Sequence, residues 1–160
     1  MSVKYSKTNA LRRLDTMRVP YTVFSYDGKD GAIDGKSVCK KIGQDAKHFY
    51  KTLVTVGRDK EVYIFVIPIL EELDLKKAAD VAAVKSLQFV AVKELVSLTG
   101  YERGGCSPIG MKKKYKIFAD LSIQNLKTVL VSGGRIGIVI QIAVPDFISV
   151  CEVEVANLTL

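Results

Sequence analysis

Apolar residues recur along the chain with two different periods, and the points where the period changes mark its elements. Residues 9–17 put Ala10, Leu11, Leu14 and Met17 at helical spacing behind a Thr8 or Asn9 cap, and Pro20 stops that helix. YTVFSY (21–26), rich in β-branched and aromatic residues, predicts a strand, and the Asp, Lys and Gly of 27–35 predict a loop. Residues 36–42 set Val38 and Ile42 on one face ahead of Gly43, a good left-handed cap, so a second short helix is expected. KTLVTV (51–56) and VYIFVI (62–67), joined by the polar turn GRDKE, predict a β-hairpin. Asp74 caps an amphipathic helix carrying Leu75, Ala78, Ala79 and Ala82, and Val92, Leu95 and Val96 repeat the spacing until Gly100. KIFAD (116–120), TVLVS (128–132) and IGIVIQI (136–142) read as strands, with Gly133 and Gly134 favouring a tight turn between the last two. Pro145 can open a final short helix.

Hairpins and helices are interspersed rather than strictly alternating, which predicts a mixed α/β fold with a mixed or largely antiparallel sheet, not a doubly wound one. The chain shows no internal repeat and no Pro- or Ser-rich linker, so residues 1–160 are expected to form one domain.

Composition narrows the setting. Hydrophobic residues make up 48% of the 160, normal for a globular fold. The longest apolar run, around 62–67, falls far short of the roughly 20 residues that span a bilayer. The N-terminus lacks the apolar core of a secretory signal, so a cytoplasmic location is expected. The three cysteines, Cys39, Cys106 and Cys151, are far apart, and His48 is the only histidine, so neither a disulfide framework nor a metal site is expected. The net charge of +7 favours anionic partners, RNA above all, although a small basic protein need not bind nucleic acid.

One loop concentrates the unusual chemistry. TGYERGGCSPIGMKKKYK (99–116) combines glycines, whose backbone amides can approach an anion or a carboxyl oxygen, with a lysine cluster. Lys51 opens an apolar strand, where it could hold a phosphate or carbonyl oxygen or simply reach water along its stem. Ser132 and Tyr26 are open to two readings in the same way, as site residues or as ordinary turn and strand-end groups. A Cys106 nucleophile would need a base, and nothing in the sequence ties it to His48. Neither GGCSPIG nor SGGRIG has the Lys and Ser/Thr that complete a nucleotide-phosphate loop.

FYKTLV around Lys51, LDLKKAA, TGYERGGCSPIGMKKK and VSGGRIG, in that order, resemble the YbaK/EbsC family of aminoacyl-tRNA editing domains, over about residues 9–154. The nearest subgroup is the free-standing bacterial YbaK-like Cys-tRNA(Pro) deacylases. The resemblance implies a curved, mostly antiparallel, barrel-like mixed sheet flanked by helices. It also implies cleavage of the ester that joins a wrong amino acid to tRNA(Pro), without metal or organic cofactor. Mischarged tRNA is then the partner, with prolyl-tRNA synthetase a suggested second, and neither DNA nor membrane is expected.

Carried over by position, the resemblance makes Lys51 the anchor of the terminal adenosine phosphate and gives Gly104 and Gly105 the aminoacyl carbonyl. Tyr26, Ser107, Pro108, Ser132 and Val139 fall at substrate-binding positions. Lys112, Lys113 and Lys114, with Lys116 beyond them, become candidates for the acceptor stem. In the YbaK-like mechanism the substrate cysteine's own thiol attacks the ester and leaves as a thiolactone. The chain departs from the family where RGLDIEL is expected: IGIVIQI puts Val139 and Gln141 in place of an Asp and a Glu. That departure leaves open a paralogue with another specificity, such as Ala, or one that binds tRNA without cleaving it. A cysteine-dependent enzyme using Cys106 is the third alternative.

Overall fold

The computed structural model describes residues 6–160; the expectation about the N-terminus falls partly on residues outside these. Helix α1 (Asn9–Thr16) starts at Thr8, whose side chain accepts the Leu11 N–H, so Thr8 and not Asn9 is the cap. Ala10, Leu11 and Leu14 are wholly buried on its inner face. Strand β1 (Thr22–Ser25) leads through the 26–34 loop into α2 (Gly35–Ile42), capped by Asp34 and closed by Gly43 in the left-handed region. A 3-10 turn (Ala46–His48) feeds β2 (Tyr50–Gly57), which forms the expected hairpin with β3 (Val62–Pro68). Next come α3 (Leu75–Ala82), the short β4 (Leu87–Phe89) and α4 (Val92–Thr99). The chain ends with β5 (Lys116–Asp120), β6 (Thr128–Ser132), β7 (Ile138–Ala143), α5 (Val144–Cys151) and β8 (Glu154–Ala156).

The strands form two sheets, of order β4-β2-β3-β5-β8 and β1-β7-β6. Most neighbours are antiparallel, but β5 runs parallel to β3 and to β8. The mixed, mostly antiparallel α/β character is as expected, and the described strands, in two sheets, form no closed barrel. One parallel bridge, Phe49 to Leu130, joins the two sheets. The reason is that β2 pairs along its length with β3 and, at Thr55–Gly57, with β4 on its other edge, leaving only its start for β6.

Both faces of the larger sheet are covered, which is why VYIFVI is continuously apolar instead of alternating. Tyr63, Phe65 and Ile67 join a cluster with Ala78, Ala79 and Ala82 of α3, and Phe65 stacks on Phe118 with ring centroids 5.4 Å apart. Ile64 and Val66 point into the main core, which they share with α1, with Val129 and Val131 of β6, with Ile140 and Ile142 of β7, and with Phe147 of α5. The outer face of the smaller sheet packs Leu130 and Val139 under Val38 and Cys39 of α2. No described helix is long and apolar enough to cross a membrane.

Candidate functional site

A cavity of about 320 Å³ opens where the start of β2 meets the end of β6, the start of β7 and the loops after β1 and α4. Its lining includes Tyr26, Lys51, Thr52, Gly104, Cys106, Ser132 and Val139, with Ile33, Val38, Phe49, Ile69 and Ile138 as an apolar wall. Lysine 51 is the one ionic side chain among the lining residues, and no carboxylate faces it. Half-buried on β2 opposite Ile67, Lys51 has no side-chain hydrogen bond or ion pair among the described residues. A cation left without a protein partner in a partly dry site is available to an anionic ligand.

The 26–34 loop is held in place by charge. The Lys41 ammonium donates to the Asp27 and Ala32 carbonyls at 2.7 and 3.0 Å and to the Asp30 carboxylate at 2.8 Å. That contact keeps the Asp30 carboxyl below its usual pKa range. The same ammonium lies 5.9 Å from the centre of the Tyr26 ring, and the Tyr26 N–H donates to the Gly137 carbonyl at 2.9 Å. Tyr26 and Ile33 are thus set on the cavity rim by a pinned loop.

Two hydroxyls in the lining are unusual. The side-chain oxygens of Thr52 and Ser132 are buried and have no hydrogen-bond partner among the described residues. Buried polar groups are nearly always paired, so an orphan pair in one cavity points to a ligand or water that pairs them.

Of the residues the sequence singled out, Tyr26, Lys51, Gly104, Ser132 and Val139 converge on this cavity. Gly104 has a φ of +86° and lies against Ile33 and Ile136. Gly105 does something else. A side chain there would come within 2.6 Å of the Arg135 backbone, and its own N–H donates to the Glu102 carbonyl at 3.0 Å, so it seats the loop on the β6–β7 turn. Ser107 is wholly buried, its hydroxyl accepting the Ile109 N–H at 3.2 Å in a local turn. Pro108, Lys112, Lys113 and Lys114 line a different, larger cavity of about 440 Å³ together with Arg12 and Arg13. Lys116 starts β5 opposite Tyr63 and lines neither cavity.

Cys106 forms part of the cavity wall without the character of a nucleophile. Burial pushes its thiol up to about 11, and its sulfur contacts the Thr99 hydroxyl at 4.0 Å. His48 sits in the turn before β2 and is not among the lining residues. Gln141, two residues beyond Val139 on β7, donates through Nε2 to the Thr128 hydroxyl at 3.4 Å. Val139 is 1% exposed and belongs to the apolar cluster beneath α2. Sequence reasoning missed Thr52, because a threonine in a strand carries no signal until its hydroxyl is found without a partner.

Residues 32–150 match the family model described as the aminoacyl-tRNA editing domain. A protein of Enterococcus faecalis, provisionally named Cys-tRNA(Pro)/Cys-tRNA(Cys) deacylase EbsC, is 36% identical over 153 residues, covering 96% of this chain and 93% of its own length. Proline–tRNA ligase of Brachyspira hyodysenteriae is 27% identical over 96 residues, which is 60% of this chain but 17% of the ligase. A crystal structure of a protein provisionally described as a trans-editing enzyme for prolyl tRNA synthetase superposes with a TM-score of 0.82 at 22% identity. It covers 97% of this chain and 99% of that one, which establishes the shared fold.

Proposed function

This chain belongs to the aminoacyl-tRNA editing domain family, and on that premise we propose that it is a trans-acting deacylase that removes a mischarged amino acid, cysteine on tRNA(Pro), in the cytoplasm. The observation that carries the reading is the convergence of Tyr26, Lys51, Thr52, Gly104, Ser132 and Val139, from separate parts of the chain, on one cavity containing an unpaired cation and two orphan hydroxyls.

The volume, about 320 Å³, lies at the small end of the range for ligand cavities, so it takes the terminal aminoacyl-nucleoside and leaves the body of the tRNA outside. Lys51 meets the phosphate of the terminal adenosine. Gly104, which lines the cavity and carries no side chain, lets the aminoacyl carbonyl approach the backbone closely, while Gly105 keeps that loop seated. Tyr26, Thr52 and Ser132 supply the polar contacts that orient the ester. Ser107 and Pro108 support the site from within the loop.

The reaction asks for little beyond positioning. The substrate cysteine's sulfur bonds to its own carbonyl carbon, the ester C–O bond breaks, and the thiol proton ends on the ribose oxygen as the tRNA leaves. Such an intramolecular attack gains chiefly from being held in a reactive geometry. A dry, apolar wall at Val139 suits a small side chain and offers no counter-charge to the substrate's ammonium group.

The test is to incubate the pure protein, and Lys51→Ala, with Cys-, Ala- and Pro-charged tRNA(Pro) and follow loss of the ester. Cleavage of the cysteinyl ester by the parent and its loss in the variant are expected. Retention of every ester by the parent would overturn the reading, and faster release of alanine than of cysteine would reassign the substrate. A complex with prolyl-tRNA synthetase is part of the same proposal, checked by co-sedimentation.

A further inference from the structure

The larger cavity, about 440 Å³, is a basic groove to which the ester chemistry assigns no role. One wall is the outer face of α1, where Asn9, Arg12, Arg13 and Thr16 follow helical spacing opposite the buried Ala10, Leu11 and Leu14. The facing wall is the lysine segment 112–114. Gly110 brings the two together: it has a φ of +70°, and a side chain there would come 2.7 Å from the Asn9 carbonyl oxygen, so the chain folds directly onto the start of α1. The segment is pinned on both sides, by the Lys112 N–H to the Thr99 carbonyl at 2.9 Å and by the Tyr115 hydroxyl to the Leu98 carbonyl at 2.6 Å. Arg12 is steadied by bonds to the Lys7 carbonyl at 2.8 Å and to Asn9 at 2.7 Å.

The groove therefore fixes Arg12, Arg13, Lys112, Lys113 and Lys114 near one another, against one carboxylate in its lining, Glu152. Glu152 pairs with Lys114 at 2.5 Å and is held below its ordinary pKa by that bond and, more weakly, by Arg13. The other four cations, Arg12, Arg13, Lys112 and Lys113, form no ion pair among the described residues, and Glu152 is the one carboxylate in the lining for all five. The geometry also ties this groove to the first cavity, because the loop that lends Gly104 and Cys106 to one lends Pro108 and Gly110 to the other.

We propose that the groove binds the phosphate backbone of the acceptor duplex of the same tRNA whose terminal nucleoside enters the first cavity, with Arg12, Arg13, Lys112 and Lys113 as the phosphate contacts. This rests on the deacylase reading. Cations held close together repel one another unless a polyanion neutralises them, and a nucleic-acid backbone does so with release of its counterions. The surface fits RNA better than a protein partner because charged residues dominate it, whereas the centre of a protein–protein interface is depleted in them.

The experiment titrates the full chain, by fluorescence anisotropy, with an uncharged RNA hairpin that reproduces the acceptor arm and its single-stranded 3′ end, and with that 3′ end alone. KCl is varied from about 50 to about 200 mM. Arg13→Glu with Lys113→Glu, two exposed positions, is compared with the parent after a thermal melt shows equal folding. The double variant is expected to lose about tenfold or more in hairpin affinity, with the slope of log K against log salt falling by about 2, and to bind the short 3′ end as the parent does. Unchanged hairpin affinity and slope would overturn the proposal, as would a variant that lost only its binding to prolyl-tRNA synthetase. If the parent cleaves no charged tRNA, the deacylase reading fails by itself and the hairpin titration still decides whether the groove binds RNA.

Discussion

Thr52 and Ser132 stand on different sheets, β2 and β6, yet line the same cavity, and each buries a hydroxyl that no other described group satisfies. Such a group costs the folded state about 1–3 kcal/mol unless something pairs it. Replacing it by an apolar group of the same shape removes that cost. Thr52→Val and Ser132→Ala are therefore expected to hold or raise stability, by up to about 1 kcal/mol, while slowing deacylation about tenfold or more. Denaturant midpoints and single-turnover rates measure the two sides. A variant that lost stability while keeping its rate would show these hydroxyls to be structural.

Lys51 gives the companion case for charge. Half-buried and without an ion pair among the described residues, its ammonium adds nothing to the fold through one, and its methylenes can be replaced by those of methionine. Lys51→Met is expected to melt within a few degrees of the parent and to lose about two orders of magnitude in deacylation, the scale on which a preorganised electrostatic contact acts. Equal rates for parent and variant would remove Lys51 from the site.

Cys106 lines the cavity beside these groups, but burial pushes its thiol up to about 11, so it is held in the unreactive protonated form at pH 7. Cys106→Ala is expected to deacylate within about twofold of the parent, and the parent to resist iodoacetamide at neutral pH unless unfolded. Abolished activity in Cys106→Ala would revive a covalent mechanism.

Much of this was legible in the sequence because the signals were local. Asp74, Gly43 and Gly100 mark helix ends that the structure keeps, and the spacing of Ala10, Leu11 and Leu14 gives α1 its buried face. The parts that escaped are non-local. Strands β4 and β8 are three residues each and exist only because β2 and β5 offer an edge, and the parallel pairing of β5 with β3 leaves no trace in the composition of either. The division of the glycine-rich loop between two cavities was hidden for the same reason: what Gly105 and Gly110 permit depends on the backbones of Arg135 and Asn9, distant in the chain.

Gly105 offers a direct test of that division. A methyl group there would sit 2.6 Å from the Arg135 Cα and 2.8 Å from its carbonyl carbon, both backbone atoms that cannot swing aside. Gly105→Ala is expected to cost about 2 kcal/mol or more and to lower the melting temperature by several degrees. Gly31 serves as the control: its φ of +78° brings only the strain of a left-handed residue, about 1–2 kcal/mol, with nothing within 4 Å to collide with. Equal melting temperatures for Gly105→Ala and the parent would mean that the loop is not seated on the β6–β7 turn.

Val139→Asp restores the acidic residue that the family resemblance leads one to expect, at a position only 1% exposed among Val38, Phe49 and Leu130. Desolvation disfavours the carboxylate there, so the folded-state pKa of the new Asp rises above the ordinary value of about 3.9. At a pH above that ordinary value the folded state then holds a proton that the unfolded state has released, and stability falls as pH rises until the folded carboxyl ionises too. The variant should approach the parent's stability near pH 4 and fall progressively behind it toward neutrality, as urea midpoints measured across that range would record. A deficit that did not change with pH would mean that the carboxyl reaches water or a cation. Lys51 is the one cation in the lining, so combining Val139→Asp with Lys51→Met separates the two: a deficit that becomes pH-dependent only in the double variant assigns the new carboxylate to Lys51.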